Sequence, residues 1–153
     1  MTADPVPSWV QPQWFLPTFI VMWLFVTGLL AYLGGWVSLA ERFRAERSVD
    51  GERFRFASGS VGLRYVPVSY GNCLFVTVNR EGLYLSIFFP FRFLSPPLFI
   101  PWSRVESIQE GRILLFRYYV IVIRDNWSRI TLRGTPGRRA KETYEAACVE
   151  KGL

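Results

Sequence analysis

The distribution of hydrophobic and polar positions divides the chain into an uncharged N-terminal segment and a charged remainder. Residues 5–40 carry no charged side chain, and residues 15–33 are almost wholly apolar. A helix that crosses a bilayer needs about 20 predominantly apolar residues. This segment also lacks the polar face that a surface helix of a soluble protein shows. The pattern therefore predicts one transmembrane helix over residues 14–39, preceded by a short N-terminus over residues 1–13.

The flanks of the apolar segment indicate how it lies in a membrane. No Lys or Arg precedes it, whereas basic residues follow it directly, so the positive-inside rule places residues 1–13 outside and the C-terminal part in the cytoplasm. A cleaved signal peptide is disfavoured, because such a peptide begins with basic residues and has a shorter apolar region. We expect the side chains that anchor the two ends at the membrane interfaces to be Trp14, Tyr32, Trp36, Arg42 and Arg44.

One side of the predicted span is rich in small residues. Thr27, Gly28 and Ala31 lie within about one turn of each other. Small side chains let the backbones of two membrane helices approach closely. These three residues are therefore candidate helix-packing positions.

Apolar residues continue at helical spacing beyond the span. Residues 40–50 are accordingly predicted to form a juxtamembrane amphipathic linker helix. Two arrangements of this helix remain open: it lies in the membrane interface with its arginines near lipid phosphates, or it packs on the following domain. In both, the apolar stripe consists of Trp36, Leu39, Ala40 and Phe43.

From residue 51 the hydrophobic period changes to two, which is typical of half-buried strands. Turns are predicted at Gly59–Gly62, Asn79–Gly82 and Asp125–Asn126. A closing helix is predicted to begin at Thr135–Gly137, with Thr135 as its cap. Its buried stripe would contain Ala140, Tyr144, Ala147 and Cys148. The strands are predicted at residues 53–56, 61–68, 74–78, 83–87, 98–102, 112–116, 118–124 and 129–133.

These elements predict a membrane-anchored α+β protein. Residues 51–153 would form a strongly bent antiparallel sheet or small barrel of about seven strands, because such a sheet capped by the C-terminal helix would bury the apolar pattern.

Two short motifs carry a resemblance to a known family. Glu81-Gly82-Leu83 follows a predicted strand and turn, and Ile100-Pro101-Trp102-Ser103 lies in the next apolar strand. In this arrangement residues 51–153 resemble bacterial pleckstrin-homology-like and GRAM-like domains. The whole chain is similar to small bacterial single-pass membrane proteins with such a domain. The resemblance implies a location at the bacterial inner (cytoplasmic) membrane with a cytoplasmic domain, and its motifs carry no catalytic residue.

Composition narrows the chemistry of the chain. It contains no histidine and two cysteines, so it lacks Ser-His and Cys-His nucleophile pairs and any metal site that uses histidine. Phosphate-binding glycine motifs and the nucleophile-elbow motif are also missing. We therefore expect no enzymatic activity, no cofactor and no bound metal.

The least ordinary segment is a phenylalanine-rich stretch interrupted by prolines. Pro90, Pro96 and Pro97 disfavour a regular central strand there, and a loop this apolar is costly when exposed to water. Three alternatives are open: the loop is tucked under the domain, inserted into the bilayer interface, or docked on a protein partner. The candidate contact residues are Phe88, Phe89, Phe91, Arg92, Phe93 and Leu94.

A second candidate surface is basic. All 18 basic residues lie at or after Arg42, and residues 112–139 contain seven arginines against the single acid Asp125. Solvated strand faces often carry such arginines, but a cluster would also suit lipid phosphates, above all at Arg138 and Arg139 where the helix begins. The candidate basic surface consists of Arg112, Arg117, Arg124, Arg129, Arg133, Arg138 and Arg139.

Two functions follow as hypotheses. In the first, the chain is a non-enzymatic membrane-anchored binding or scaffold module. Its domain would contact anionic lipid headgroups, an integral membrane protein, or both. In the second, it is an accessory structural subunit of a large respiratory or photosynthetic type of membrane complex, with its span and phenylalanine loop packed on neighbouring subunits. Nucleic acid is not an expected partner, because RNA-binding signatures are missing.

Overall fold

The computed structural model describes residues 5, 7, 11–63, 66–89, 92, 95–124 and 128–152. Two helices come first, a seven-stranded sheet follows, and a third helix ends the described chain. A short 3-10 helix at Trp102–Arg104 joins the fourth and fifth strands. The elements are α1 Pro12–Leu33, α2 Trp36–Phe43, β1 Glu52–Leu63, β2 Val66–Val78, β3 Gly82–Ile87, β4 Leu98–Pro101, β5 Val105–Ile113, β6 Phe116–Ile123, β7 Ser128–Arg133 and α3 Thr135–Lys151.

The strands form one curled antiparallel sheet in the order β4-β3-β2-β1-β7-β6-β5. Strands β1–β4 and strands β5–β7 are two meanders, and β1 joins them because it pairs with β2 on one side and with β7 on the other. The curled sheet packs its inner face around Leu85, Ile121 and Leu132. This architecture confirms the predicted α+β class, the antiparallel seven-stranded sheet and the C-terminal helix.

The N-terminal helix is shorter than the sequence pattern predicts. Helix α1 ends at Leu33, whereas the predicted span extends to residue 39. The chain turns at Gly34–Gly35, where Gly35 adopts a φ of 72°. A side chain at that φ is disfavoured, so the glycine allows the turn. Helix α2 then begins at Trp36 as a separate element.

Helix α2 packs on the sheet domain. Its residues Trp36, Leu39 and Ala40 are buried in the common core, and Phe43 packs against that core. The following backbone extends the edge of β4, where the N–H of Ala45 donates a 2.9 Å hydrogen bond to the carbonyl oxygen of Pro97. The helix covers Trp36–Phe43 and not the predicted residues 40–50. Of the two arrangements predicted for this amphipathic segment, the structure shows the one that packs on the domain.

Three predicted local features of the sheet are wrong. Residues 61–68 are not one strand, because β1 ends at Leu63 and β2 begins at Val66 and pairs with it. Gly59–Gly62 is not a turn but the middle of β1, where Gly59 pairs with Tyr70 and with Leu132. A β carbon at Gly59 would collide with the carbonyl oxygen of Thr131, so this glycine permits close strand approach rather than chain reversal. Residues 112–116 are not one strand either, because the chain reverses at Leu114–Leu115 between β5 and β6.

The terminal helix closes the core as predicted. Ala140 and Ala147 are buried, while Tyr144 and Cys148 are half-buried on the same stripe. The cap differs from the expected one: the helix begins at Thr135 itself, with Gly134 preceding it as N-cap and no side chain bonded to the free N–H groups. Assignments of a helix end commonly differ by one residue.

Candidate functional site

Most of α1 is exposed apolar surface. The helix is long and apolar enough to cross a membrane, a criterion that a signal sequence near an N-terminus also meets. Large hydrophobic side chains are exposed along the helix from Trp14 to Leu33, and Ala31 is its one buried residue. In water such a surface is unfavourable, so it requires a covering apolar environment.

The small-residue side of α1 lies against the chain's own sheet. Ala31 is buried, and Thr27 and Gly28 are half-buried. At Gly34 the backbone comes so close to β2 that a β carbon would lie 2.7 Å from Cγ2 of Val68. An apolar groove of about 280 Å³, to which Thr27 contributes, separates the helix from the middle of β2. The three predicted helix-packing residues therefore lie on the side of α1 that faces its own domain, instead of forming an open face for another helix.

The predicted interface anchors fall into two groups. Trp14 and Tyr32 are exposed on α1, and Arg42 and Arg44 are exposed at the end of α2, as anchors would be. Trp36 is different and corrects the prediction: it is fully buried, and its indole N–H donates a 2.9 Å hydrogen bond to the carbonyl oxygen of Pro96. A side chain held in the core in this way does not contact headgroups.

Trp36 also borders a half-buried tyrosine. The rings of Trp36 and Tyr70 lie 5.6 Å apart in an edge-to-face arrangement. Burial among these apolar groups raises the pKa of Tyr70 to about 12, since the charged phenolate is poorly solvated there.

A basic cleft lies directly after α2. Its volume is about 660 Å³, and Glu46 is the one acidic side chain that lines it. Two segments far apart in sequence build the cleft, because the bridge between Arg44 and Leu98 brings the chain after α2 to the edge of the sheet. The arginines that line it are Arg42, Arg44, Arg47, Arg104 and Arg124.

The described part of the phenylalanine-rich segment lies at the surface. Phe89 is 76% exposed, and Phe88 is partly exposed. Phe88 forms a three-ring cluster with Phe56 and Phe75, with centroids 5.6 to 5.8 Å apart. Arg92 is exposed. Phe91, Phe93 and Leu94 lie outside the described residues. At Phe88 and Phe89 the segment is therefore not tucked under the domain, and contact with lipid or with protein stays open.

The seven predicted basic residues do not form one patch. Arg124 lines the cleft after α2, and Arg129 is exposed on β7. Nε of Arg112 donates a 3.0 Å hydrogen bond to the carbonyl oxygen of Leu114 and thereby supports the β5–β6 turn. Three of the remaining arginines, Arg117, Arg133 and Arg138, line a second, larger cleft.

The proposed anion site at the start of α3 is largely occupied by acidic side chains. Nε of Arg139 donates to a carboxylate oxygen of Glu52 at 2.7 Å, and its Nη1 donates to Glu142 at 3.1 Å. The hydrogen bond that Arg139 donates to Glu52 raises the pKa of Arg139. Arg138 lies 3.9 Å from Glu142. Arg139 is thus engaged by two carboxylates and is a poor candidate for binding a further anion.

The sequence pattern missed two contributors to the second cleft. Arg53 and Arg55, predicted as polar positions of a strand, line it together with Phe54 and Phe56. The apolar run at 113–116 was predicted as strand, but it forms the exposed end of the β5–β6 hairpin, and Leu115 reaches the same cleft. A run of four large apolar residues between two arginines was the available signal.

Within the described residues, no group of three or more Cys, Asp or Glu side chains is arranged to hold a metal ion. The chain matches no protein-family model and no curated protein.

Proposed function

We propose that the chain is a membrane-anchored, non-enzymatic binding module. In this function α1 crosses the bilayer, and the sheet domain is held at the membrane surface, where it contacts lipid headgroups. The observation that carries the proposal is the distribution of exposure on α1. Large apolar side chains are exposed around the helix, except on the side of Ala31 that faces the chain's own β2.

The docking of α1 on the domain supports a fixed geometry. The helix is joined to the core through the short turn at Gly34–Gly35, and Trp36 immediately afterwards is fully buried. A long flexible linker would let the domain move away from the bilayer. Here the buried Trp36 and the close approach of Gly34 to Val68 keep the domain beside the helix.

The basic cleft after α2 supports the orientation expected from sequence. Arginine side chains near a span favour the cytoplasmic side and attract anionic headgroups. Arg42, Arg44 and Arg47 follow α1 within a few residues and share the cleft with Arg104 and Arg124. We accordingly assign the domain to the cytoplasmic face of the membrane.

The strand order supports the resemblance to pleckstrin-homology-like domains. Two antiparallel meanders joined through β1 and β7 and closed by a C-terminal helix fit that resemblance. The fold itself does not define the function, which depends on the site.

The exposure of Phe89 favours a second candidate, an accessory subunit of a larger membrane complex. In that case the phenylalanine segment would pack on a neighbouring membrane protein. Purification of the chain in mild detergent tests this alternative, which predicts a stoichiometric partner. Recovery of the chain without any stoichiometric partner would contradict the accessory-subunit alternative.

Anchoring is tested by carbonate extraction of membranes that contain the full chain. We expect the intact chain in the pellet. Val21→Asp with Phe25→Asp places two charges on exposed positions of α1, each costing about 2.5–3.5 kcal/mol at a helix centre, and should release the chain into the supernatant. Val149→Asp, at an exposed apolar position of α3, is the matched control and should remain in the pellet.

Topology and processing need separate measurements. The mass of the membrane-bound chain should be that of the uncleaved sequence, whereas loss of α1 would identify a signal sequence. Protease added outside intact cells should leave the arginine-rich domain uncut. An unmodified chain found in the supernatant after carbonate treatment would refute membrane anchoring.

A further inference from the structure

From the second cleft we infer a specific bilayer contact: a binding site for the phosphate of an anionic lipid, with the β5–β6 hairpin end inserted among the lipids. This inference rests on the proposed membrane anchoring and adds which surface of the domain contacts the headgroups. The site lies where the start of β1, the start of β6 and the start of α3 converge. The paired ends of β1 and β2 at Leu63 and Val66 are at the opposite end of that strand pair.

The cleft has the charge that such a ligand requires. Its volume is about 980 Å³, and no acidic side chain lines it. Arginine presents several N–H donors in a planar fork that suits phosphate oxygens. Five arginines line the cleft: Arg53, Arg55, Arg117, Arg133 and Arg138.

Competing carboxylates engage only part of this set. Arg53, Arg117 and Arg138 have acids at 3.6 to 3.9 Å, all between exposed groups. Such surface pairs contribute little and exchange readily with other anions. Arg55 and Arg133 have no carboxylate within 4.0 Å among the described residues. These two are therefore the arginines that we assign to the phosphate.

The end of the β5–β6 hairpin supplies the apolar half of the contact. Leu114 is 86% exposed and Leu115 is 84% exposed, with Ile113 and Phe116 exposed on either side. Arg112 and Arg117 flank these four residues. An exposed apolar tip bordered by arginines matches the layering of a membrane interface, in which acyl chains lie beneath phosphates.

The backbone at the tip is unfavourable for folding alone. Leu114 adopts a φ of 54°, a left-handed conformation that costs a non-glycine residue about 1 kcal/mol or more. Two-residue hairpin connections normally place Asn or Gly at such positions. A strained leucine that is also exposed stabilises neither the turn nor the core, and contact with an apolar environment accounts for an apolar side chain at this position.

A second residue with a left-handed backbone, Phe56, lines the same cleft as the hairpin tip. Phe56 has a φ of 56° at a bulge where Arg55 and Phe56 oppose one residue of β2. The bulge turns the phenyl ring outward, where Phe56 lines the cleft together with Leu115. The arginine cleft thus carries exposed apolar groups from both β1 and the β5–β6 hairpin.

Residue contacts connect the cleft to the groove beside α1, and this connection favours contact of both with the same bilayer. Phe56 contacts Phe75 and Phe88, and the N–H of Phe88 donates a 2.8 Å hydrogen bond to the carbonyl oxygen of Cys73. Cys73 in turn lines the groove against α1 together with Trp23. A series of neighbouring residues therefore connects the groove beside the helix to the cleft.

The test uses the full chain in lipid nanodiscs, in which α1 is already inserted. Native cysteines are replaced by Cys73→Ser and Cys148→Ala, and Leu115→Cys carries an environment-sensitive fluorophore. We expect a blue shift and quenching by nitroxide-labelled lipids as phosphatidylglycerol is added to phosphatidylcholine. The same label at Val149→Cys, equally exposed on α3, should not respond.

The cleft is tested with variants matched in charge. Arg55→Gln with Arg133→Gln should raise the phosphatidylglycerol fraction at half-maximal quenching by about fivefold or more. Arg80→Gln with Arg129→Gln removes the same charge from exposed positions outside the cleft and should change it little. Equal effects of the two pairs would overturn the assignment of the cleft.

Two further measurements control for an effect on folding and identify the source of the phosphate. Leu114→Gly should keep or raise the melting temperature and yet weaken quenching, whereas unchanged quenching would overturn the role of the tip. At matched ionic strength, inorganic phosphate should leave the quenching of the Leu115→Cys label unchanged. Complete loss of quenching would show that free phosphate is the ligand and would overturn the lipid site. Because every arm starts from an inserted chain, a silent label refutes this site but not the anchoring, which carbonate extraction tests.

Discussion

The indole N–H of Trp36 donates a 2.9 Å hydrogen bond to the carbonyl oxygen of Pro96, a residue 60 positions later in the chain. Trp36 is the first residue after the glycine turn that ends α1, and Pro96 follows the phenylalanine-rich segment. This bond therefore links the N-terminal helix region to the segment whose described phenylalanines are exposed.

Removal of this hydrogen bond should lower the free energy of unfolding of the domain. Trp36→Phe keeps an apolar ring but leaves the Pro96 carbonyl without its donor and creates a small cavity, so we expect a loss of about 2–4 kcal/mol. The measurement is thermal unfolding in detergent, followed by circular dichroism. Trp14→Phe at an exposed position of α1 is the control and should unfold within a few degrees of the wild type. Equal unfolding temperatures for both variants would contradict the structural role of the bond.

A glycine in the middle of β1 provides a second test. Gly59→Ala places a β carbon against the carbonyl oxygen of Thr131, and backbone atoms there cannot move without disturbing the β1–β7 pairing. We expect destabilisation of about 1–3 kcal/mol or more, measured by chemical denaturation in detergent. Gly71→Ala is a matched control on β2, because nothing lies within 4 Å of its β carbon. A tolerated Gly59→Ala would mean that β1 and β7 are not packed this closely.

The contrast between these two glycines also explains what the sequence could and could not predict. Period-two alternation identified most strands, and helical spacing identified the buried stripe of α3, because burial acts on each element locally. A glycine pair is locally ambiguous: Gly59 reads as a turn residue, and only the approach of Thr131 from β7 shows why glycine stands there. Trp36 was ambiguous in the same way, since an interfacial and a buried tryptophan follow the same pattern.

Predicting the arginine cleft requires knowledge of long-range strand pairing even more than predicting the fold does. Charge counting found Arg117 and Arg133, but their cleft partners Arg53 and Arg55 come from a strand some 60 residues or more away in sequence. Counting also grouped Arg139 with them, although Glu52 from the same distant strand engages it at 2.7 Å. Which arginines share a cleft is decided by the β1–β7–β6 order, and no local pattern encodes that order.

The stability of the domain should fall at alkaline pH because of one half-buried phenol. Burial raises the pKa of Tyr70 to about 12, whereas an exposed phenol ionises near 10. The folded state therefore holds this proton to a higher pH than the unfolded chain does. The stabilising contribution is complete below about pH 10 and is lost as the pH rises towards about 12.

Ultraviolet absorbance of the phenolate and melting temperature, both recorded against pH, measure this effect. Tyr70→Phe should remove a late ionisation step and flatten the alkaline fall in melting temperature. The pKa of Tyr144 is also raised, chiefly by burial, so a Tyr144→Phe variant serves to separate the two late steps. If Tyr70→Phe leaves both curves unchanged, the Tyr70 side chain is solvated rather than packed against Trp36.

The turn between β2 and β3 is organised by the side chain of Asn79. Its Oδ1 accepts hydrogen bonds from the backbone N–H groups of Glu81 at 2.9 Å and Gly82 at 2.8 Å. The backbone carbonyl of Asn79 accepts the indole N–H of buried Trp102 at 2.9 Å. The turn therefore fixes the register of β3 and holds the 3-10 helix that leads into β5.

Replacement of Asn79 should distinguish the acceptor role of its side chain from mere space filling. Asn79→Asp keeps an oxygen that accepts both N–H groups and should lose little stability, although the bond from Nδ2 to the Asp50 carbonyl disappears. Asn79→Ala leaves two N–H groups without their acceptor and should cost about 1–3 kcal/mol. Chemical denaturation followed by tryptophan fluorescence measures both, since Trp102 reports on the turn. Equal losses for the two variants would contradict a stabilising role of the Oδ1 hydrogen bonds.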